Sequence, residues 1–263
     1  MYTPRQSLYV KGSAGEPLPV VWESLAQGGT RFLRGQLCLV CAGPGTGKSA
    51  FVLTYASRAR VPTLYFSADS DAFTQLSRMQ SILTGRPLSQ SAEEISAERI
   101  DAVVDGVPIM FKYDASPSIQ MIEDPLKAFG QKYGDYPAVV VVDNITNVRL
   151  DSGGEDDDPF SGLEGLMDYL HDMARKTGAF VVGLHHVTGP YNDANKPIPL
   201  SGIKGQIGRV PEMVLTLHRV PAEFGPDSLN VSTVKNRSGK ADPSGFEFVS
   251  LSFEGDTMQI KDF

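Results

Sequence analysis

The chain has 263 residues, 41% of them hydrophobic and 21% charged, with a formal net charge of −7 at pH 7. This length can bury a substantial core, and the composition is that of an ordinary globular protein. The negative charge argues against a broadly basic nucleic-acid-binding surface, but not against a local basic loop or the basic centre of a ring. Without an apolar run of membrane-spanning length or the apolar core of a signal peptide, we expect a cytosolic protein with no membrane partner.

Residues 1–36 contain Pro4, Pro17, Pro19 and a Gly28-Gly29 pair. We expect them to form a lead-in that packs on a neighbouring subunit or on the edge of the core. They precede an apolar segment, residues 37–42, which has the length of a buried strand.

A glycine-rich turn ending in Gly-Lys-Ser follows this first strand, with Ala42 where such patterns usually open on glycine. The glycines allow backbone N–H groups to curl around an anion, and the start of the following helix adds its positive dipole. Lys48 then reaches the β- and γ-phosphates, and the Ser49 hydroxyl ligates Mg²⁺. A turn that binds nothing is the alternative. The predicted residues of this ATP site are Gly43, Pro44, Gly45, Thr46, Gly47, Lys48, Ser49 and Ala50.

The two cysteines, Cys38 and Cys41, have the C-x-x-C spacing of some metal and redox sites. An offset of three along a strand places their side chains on opposite faces of the sheet. We therefore expect two small buried hydrophobic side chains rather than a metal site.

Strand and helix patterns alternate after the glycine-rich turn, as in a parallel sheet. The predicted strands are residues 63–66, 108–113 and 138–142, the last a β-branched run typical of a strand buried on both faces. The predicted helices are residues 72–83 with Phe73, Leu76, Ile82 and Leu83 facing inward, residues 92–104, and residues 118–132 with an interruption near Pro125.

An acidic loop, residues 151–158, is predicted before the next helix, with Asp158 as its N-cap and Pro159 at its first position. The helix is expected to end at Gly178, with Arg175 and Lys176 in its last turn. Its apolar face comprises Leu163, Leu166, Met167, Leu170, Met173 and Ala174. A buried strand is predicted at residues 179–184.

Residues 185–211 form a long predicted loop rich in glycine and proline, and ordered domains rarely keep such a loop without a function for it. The strands predicted beyond it are residues 212–217, 229–235, 246–253 and 258–260, the last two joined in a hairpin through residues 254–256. The expected fold class is therefore α/β, with a mostly parallel central sheet flanked by helices and antiparallel strands near the C-terminus.

Polar side chains follow several of these strands on the edge that carries the glycine-rich turn, where open parallel sheets bind ligands. Asp143 fits an acid that holds Mg²⁺ through its water shell. Asp69 fits a second acid that orients or deprotonates the attacking water. His186, more than His185, is a candidate sensor of the γ-phosphate. The alternatives are a turn-capping role for Asp143, a helix N-cap at Asp69 (which Ser70 or Asp71 could equally supply) and a structural role for the histidines.

Phosphoryl transfer depends on positioning and charge neutralisation, so a cation that reaches the γ-phosphate from a neighbouring subunit would matter greatly. Lys235 and Arg237 stand at spacing two in a late strand, and two such side chains point the same way. The alternative is a solvated strand end.

Taken together, these segments resemble the RecA-like ATPase domain of hexameric replicative helicases of the DnaB type, found in bacteria and their phages. The segments are Gly43–Ser49, residues 65–69, Val142-Asp143, Leu184-His185-His186 and residues 235–239. The Leu-His-His strand end also resembles RepA-type plasmid helicases. The resemblance covers residues 25–263 and leaves residues 1–24 as a lead-in or linker.

The resemblance implies a role for each matching residue. Asp69 takes the place of the catalytic glutamate and His186 that of a glutamine sensing the γ-phosphate, while Asp143 is the Walker B acid. Lys235 and Arg237 act in trans as lysine and arginine fingers. Residues 187–209 face a central channel, where Lys196, Lys204 and Arg209 contact DNA phosphates.

The function predicted from this resemblance is an ATP-driven motor on single-stranded DNA, built as a hexameric ring and acting with replication proteins in the cytoplasm of a bacterium or a phage-infected host. A RecA-like recombination or repair ATPase that forms filaments is one alternative. Another is a nucleotide-gated assembly or regulatory factor with weak hydrolysis, since Asp69 is one methylene shorter than glutamate and the chain is acidic.

Overall fold

The computed structural model describes residues 1–7, 9, 15–149 and 161–263. A single sheet of nine strands runs through them. In chain order the strands are β1 (Leu37–Ala42), β2 (Thr63–Ser67), β3 (Ile109–Tyr113), β4 (Val139–Asp143), β5 (Phe180–His186), β6 (Met213–Val220), β7 (Asp227–Asn236), β8 (Phe248–Glu254) and β9 (Gln259–Asp262). Across the sheet they lie in the order β3-β2-β4-β5-β1-β6-β7-β8-β9.

The sheet has a parallel part and an antiparallel part. Strands β3, β2, β4, β5, β1 and β6 pair in parallel, whereas β7, β8 and β9 continue the sheet in antiparallel pairs. The fold class expected from the sequence is therefore confirmed. We call the edge at which the parallel strands end the carboxyl edge, and the edge at which they begin the amino edge.

Helices cover both faces of the sheet. They are α1 (Pro4–Ser7), α2 (Glu23–Gln27), α3 (Lys48–Ala59), α4 (Ala72–Thr84), α5 (Leu88–Ser96), α6 (Ala102–Asp105), α7 (Ile119–Tyr133) and α8 (Ser161–Thr177). Buried side chains of α3 and α4 belong to the core on one face, and those of α7 and α8 to the core on the other. Cys38 lies in the first core and Cys41 in the second, as their spacing predicts.

The segment before β1 contributes a large aromatic side chain to the first core. Trp22 is 3% exposed and stacks on Phe51 of α3 with ring centroids 4.5 Å apart. Its indole N–H donates to the backbone carbonyl of Ile260, 3.1 Å away in β9. The indole therefore joins the N-terminal segment, α3 and the last strand.

Two predicted helices differ in the structure. Residues 92–104 form no single helix, because α5 ends at Ser96, Glu98 has a φ of +55° and Asp101 caps the separate α6 by accepting from Val103 N–H. Residues 118–132 are not interrupted, since α7 continues through Pro125. The carbonyl that loses its donor there, that of Met121, belongs to an exposed residue that solvent can hydrate.

The inward face predicted for the helix at residues 72–83 is partly wrong. Ile82 is buried and Leu76 and Leu83 pack against the core, but Phe73 is 46% exposed. The buried face follows Gln75, Met79 and Ile82 at helical spacing, and this places Phe73 on the opposite side.

The long loop predicted at residues 185–211 is a packed connection. Strand β5 continues to His186, and the chain then makes three short 3₁₀ turns before β6. Ile198, Ile203 and Ile207 are buried in the core shared with α7 and α8. Because β5 and β6 are parallel, this connection must return from the carboxyl edge to the amino edge.

The remaining strands, including the β8–β9 hairpin, lie close to their predicted positions. In α8 the predicted face is confirmed, with Leu166, Met167, Leu170, Met173 and Ala174 buried and Leu163 partly buried. The acidic loop at residues 151–158, with Asp158 and Pro159, lies outside the described residues. No helix in the described part of the chain has the length and apolar character needed to cross a membrane.

Candidate nucleotide-binding site

The glycine-rich turn leaves β1 at the carboxyl edge and leads directly into α3. Gly45 and Gly47 have φ values of +74° and +107°, a region in which other L-residues are strained. Gly43 has a different constraint, since a Cβ atom there would lie 2.2 Å from the carbonyl oxygen of Asn192. The turn therefore has the conformation and the close packing that its glycines predict, and the N-terminus of α3 faces the space it encloses.

Lys48 is the first residue of α3, and it is 8% exposed. Its Nζ donates to the backbone carbonyl of His185 at 3.2 Å, which places the ammonium at the end of β5. Burial lowers the pKa of Lys48, and the carboxyl group of Asp143 opposes this effect most strongly, followed by Cys41 and Asp69. The lysine is thus a buried cation whose one hydrogen-bond acceptor among the described residues, a neutral carbonyl, leaves its charge uncompensated.

Asp143 ends β4 beside the end of β2, where it pairs with Ser67 in the ladder. Its Oδ2 accepts from the Tyr65 hydroxyl at 3.0 Å, and its Oδ1 is buried with no hydrogen-bond partner in the part of the chain that the structure describes. Burial raises its pKa, and the hydroxyls of Tyr65 and Ser49 and the charge of Lys48 offset part of the rise. A buried carboxylate oxygen without a donor, beside a serine hydroxyl, fits a site for Mg²⁺.

Asp69 is exposed and lies just beyond β2. The N-cap of α4 is Asp71, whose carboxylate accepts from Thr74 N–H at 2.8 Å, so Asp69 does not cap this helix. The charge of Asp69 acts on Lys48, Asp143 and His186, raising the pKa of each. Asp69 therefore shares the pocket at the carboxyl edge with these three groups.

The two histidines have different surroundings. His185 is fully buried, and its Nε2–H donates to the carbonyl of Lys204 at 2.8 Å. Burial lowers its pKa to about 4, so it is neutral at pH 7. His186 is half-buried, with its Nε2 2.6 Å from Nδ2 of Asn144. His186 is therefore the one whose ring reaches the pocket surface, whereas His185 links β5 to the connection after it.

Lys235 and Arg237 lie at the amino edge, because β7 runs antiparallel to β6 and pairs Asn236 with Met213, opposite Cys38 of β1. The paired length of β1, roughly 13 Å, separates that register from the glycine-rich turn. Lys235 Nζ donates to the carbonyls of Gly208, at 2.8 Å, and Arg209, while Arg237 Nη2 donates to the Arg209 carbonyl at 3.2 Å. These two cations do not belong to the same pocket as Lys48.

The three DNA-contact candidates are exposed but are not brought to one place. Lys196 lies over the ring of Tyr191, 5.4 Å from its centroid. Lys204 begins a 3₁₀ segment next to His185, and Arg209 ends the same segment next to Lys235 and Arg237. At about 2 Å of rise per residue, the segment separates the backbones of Lys204 and Arg209 by about 10 Å.

A family model described as an AAA domain, AAA_25, matches residues 23–189, which is more than half of the chain and includes every residue of the carboxyl-edge pocket. The chain belongs to this AAA domain family. It is also similar to proteins of two mycobacteriophages. It is 69% identical to the Gene 65 protein of Mycobacterium phage L5 over 267 aligned residues, covering 100% of this chain and 99% of the relative.

The second relative is the Gene 65 protein of Mycobacterium phage D29, 66% identical over 231 residues that cover 86% of this chain and 99% of the relative. Among solved structures, a DnaB-like replicative helicase described with its interactions with primase matches with a TM-score of 0.76 and 18% identity. The match covers 94% of this chain and 63% of that one. A second solved structure, also described as an ATPase domain, matches with a TM-score of 0.71 and 16% identity, covering 87% of this chain and 84% of that one.

These likenesses confirm the expected resemblance at the level of fold. This AAA domain has the architecture of helicase ATPase domains, and it spans 63% of the length of the DnaB-like helicase chain it matches.

Sequence reasoning missed three polar residues of this AAA domain. Tyr65 donates to Asp143, Asn144 contacts His186, and the buried Glu212 accepts from Leu37 N–H and lies beside Arg237. Asn144 follows Asp143 directly, so its position at a strand end was the available signal. Tyr65 and Glu212 show no local pattern, because their partners are distant in the sequence.

Proposed function

We propose that this chain is an ATP-hydrolysing motor on single-stranded DNA, a DnaB-like replicative helicase of the phage type. One observation carries the proposal: the chain holds a buried phosphate-binding lysine at the carboxyl edge of its sheet and two paired cations at the amino edge. A single subunit therefore presents two parts of a phosphoryl-transfer site that cannot meet within it. A head-to-tail neighbour would bring them together.

In this proposal the subunit that binds ATP supplies the carboxyl-edge residues. Lys48 exchanges the neutral carbonyl of His185 for the β- and γ-phosphates, which compensates its buried charge. Asp143 and Ser49 hold Mg²⁺, which supplies charge neutralisation on the phosphate oxygens when bound. Asp69 orients or deprotonates the attacking water, and its exposed position gives water access to it.

His186 acts as the γ-phosphate sensor. Its ring is half-buried beside Asn144, and its neighbour His185 binds the carbonyl of Lys204. A shift of the end of β5 on phosphate release would therefore move the start of the 204–209 segment. This gives a physical connection from the nucleotide to Lys204, one of the three DNA-contact candidates.

Lys235 and Arg237 act on the nucleotide of the next subunit. Repetition of the same heterologous contact closes a ring when the rotation per subunit divides a full turn, and otherwise gives a filament. We propose a hexameric ring with Lys196, Lys204 and Arg209 contacting the phosphates of single-stranded DNA. That binding would weaken as salt rises.

The setting follows from the relatives. Because the two Gene 65 proteins are encoded by mycobacteriophages, we propose that this chain acts in the cytoplasm of an infected bacterium. The DnaB-like helicase of similar fold is described with primase, so other replication proteins are candidate partners.

The mass of the full chain in solution tests the assembly, measured with a non-hydrolysable ATP analogue in the presence and absence of single-stranded DNA. A discrete hexamer supports the helicase. An open-ended series of masses would indicate a recombination-type filament instead, and a monomer under every condition would indicate a regulatory factor.

ATP turnover with and without single-stranded DNA tests the DNA contact. The double variant Lys204→Ala, Arg209→Ala should lose DNA stimulation while keeping basal turnover. A double variant of two other exposed lysines, Lys112→Ala with Lys132→Ala, is the matched control and should keep both. DNA stimulation that survives in the first variant would rule out the 204–209 segment as the DNA contact.

A further inference from the structure

Glu212 lies at the junction between the P-loop strand and the proposed fingers. It is 7% exposed, and both carboxylate oxygens have partners. Oε2 accepts from Leu37 N–H at 3.0 Å, at the start of β1. Oε1 accepts from His171 Nε2–H at 2.5 Å and lies 3.8 Å from Nη1 of Arg237.

The backbone of Glu212 makes the same two connections. Its N–H donates to the carbonyl of Leu37 at 3.0 Å, and its carbonyl accepts from Arg237 N–H at 2.9 Å. Glu212 thus fixes the main chain of the finger segment through its backbone and the guanidinium through its side chain. The first residue of the P-loop strand is held by the same group.

The cations need such a support, because the Arg237 side chain is 49% exposed and carries many rotamers. Its remaining anchor is a neutral acceptor, the Arg209 carbonyl at 3.2 Å. Glu212 is the carboxylate that attracts both cations, since its charge also raises the pKa of Lys235. His171, on α8, fixes the carboxylate from the opposite side and so determines which rotamer faces Arg237.

We propose that Glu212 and His171 are positioning residues that hold Arg237 in the orientation needed to reach the nucleotide of a neighbouring subunit. The inference rests on the proposed action of Arg237 in trans. It extends that proposal to two residues that contact no nucleotide themselves, one just before β6 and one on α8.

The test uses Glu212→Gln and His171→Leu in the full-length chain. Glutamine keeps an oxygen for Leu37 N–H but removes the negative charge, whereas leucine at 171 removes the imidazole donor and leaves Glu212 and β1 unchanged. Each variant should lose ATP turnover by about tenfold to a hundredfold, the size of effect that a misplaced catalytic group produces. Binding of a fluorescent ATP analogue to the variant's own P-loop should be unchanged.

Mixing experiments identify which end of the subunit is affected. A Lys48→Ala subunit cannot use its own P-loop but still offers intact fingers to its neighbour. Turnover of Glu212→Gln should therefore recover when it is mixed with Lys48→Ala, and should stay low when it is mixed with Arg237→Ala. Glu94→Gln, which removes a carboxylate paired with Arg86 far from both ends, is the matched control and should be active alone.

Three results would overturn the inference. Full turnover of both variants alone would show that Arg237 needs no support from them. Loss of turnover that Lys48→Ala subunits fail to restore, when they do restore Arg237→Ala, would show that Glu212 acts on its own P-loop through Leu37. If Lys48→Ala restores neither variant, the trans action of Arg237 itself is contradicted, and the positioning role with it.

Discussion

The Nζ of Lys48 donates a hydrogen bond to the backbone carbonyl of His185 at 3.2 Å. This contact joins the residue proposed to bind phosphate to the strand end that precedes the proposed sensor, His186. A buried ammonium with a neutral partner gains charge compensation when a phosphate enters, so nucleotide binding competes directly with this contact.

Replacement of Lys48 should therefore abolish ATP turnover. Lys48→Ala removes the only cation that α3 places at the mouth of the described glycine-rich turn, and a loss of at least a hundredfold, about 3 kcal/mol, is expected for a phosphate-stabilising charge. Steady-state phosphate release measures the effect. Lys261→Ala, an exposed lysine in β9, is the control and should retain full turnover; undiminished turnover in Lys48→Ala would refute the P-loop assignment.

Gly43 should tolerate no side chain. In Gly43→Ala the new Cβ would meet the Asn192 carbonyl at 2.2 Å, and the displacement of backbone should cost roughly 1–3 kcal/mol and weaken nucleotide binding. Gly165 in α8 has open space around it and a helical backbone. Gly165→Ala should thus stabilise the protein by roughly 0.5–1 kcal/mol. Denaturant unfolding of both variants checks the contrast, and equal stabilities would contradict the packing of residue 192 on the turn.

Lys235 should be the more nucleophilic of two nearby lysines. Burial lowers its pKa to about 8, and Arg237 adds to the effect, whereas the partner Glu247 raises the pKa of the exposed Lys240. At pH 7 the neutral fraction of Lys235 should exceed that of an ordinary lysine by on the order of a hundredfold. Brief acylation followed by peptide mass spectrometry should therefore modify Lys235 first, and faster labelling of Lys240 would contradict the burial of Lys235.

The same shift fixes how Lys235 affects stability. Its pKa is lower in the folded chain than in the unfolded chain, so the unfolded chain binds more protons between about pH 8 and the ordinary lysine value. Stability should therefore increase with pH across that window, and Lys235→Met should remove this contribution. Urea unfolding at several pH values measures it.

Trp22 should be a principal support of the N-terminal segment. Trp22→Ala removes the stack on Phe51 and the hydrogen bond to Ile260, and should cost about 3–5 kcal/mol. Val20→Ala, two residues earlier at a side chain that is 45% exposed, should cost little. Thermal unfolding followed by circular dichroism compares the two, and a small effect of Trp22→Ala would show that residues before α2 do not contribute to the core.

The sequence was sufficient for features governed by local pattern. The strand–turn–helix of the P-loop, the opposite faces of Cys38 and Cys41, and the buried face of α8 all follow from side-chain spacing. Two local errors have local causes: the left-handed Glu98 divides a predicted helix, and the buried face of α4 begins at Gln75 rather than Phe73.

The contacts that complete the candidate site could not be predicted in this way. Glu212 meets Leu37, His171 and Arg237 only because β1 and β6 are adjacent and α8 packs behind them. Similarly, the separation of Arg237 from Lys48 follows from the antiparallel direction of β7. Residue spacing along the chain determines neither of these.

The account depends most on a catalytic site shared between two subunits, and one measurement tests it directly. Lys48→Ala and Arg237→Ala are each purified, and ATP turnover is measured for each alone and for a mixture allowed to exchange subunits. We predict that both are inactive alone and that the mixture regains turnover, because an Arg237→Ala subunit binds ATP beside the intact fingers of a Lys48→Ala subunit. A mixture that never exceeds the sum of its inactive parts, in assemblies shown to have exchanged, would contradict the shared site.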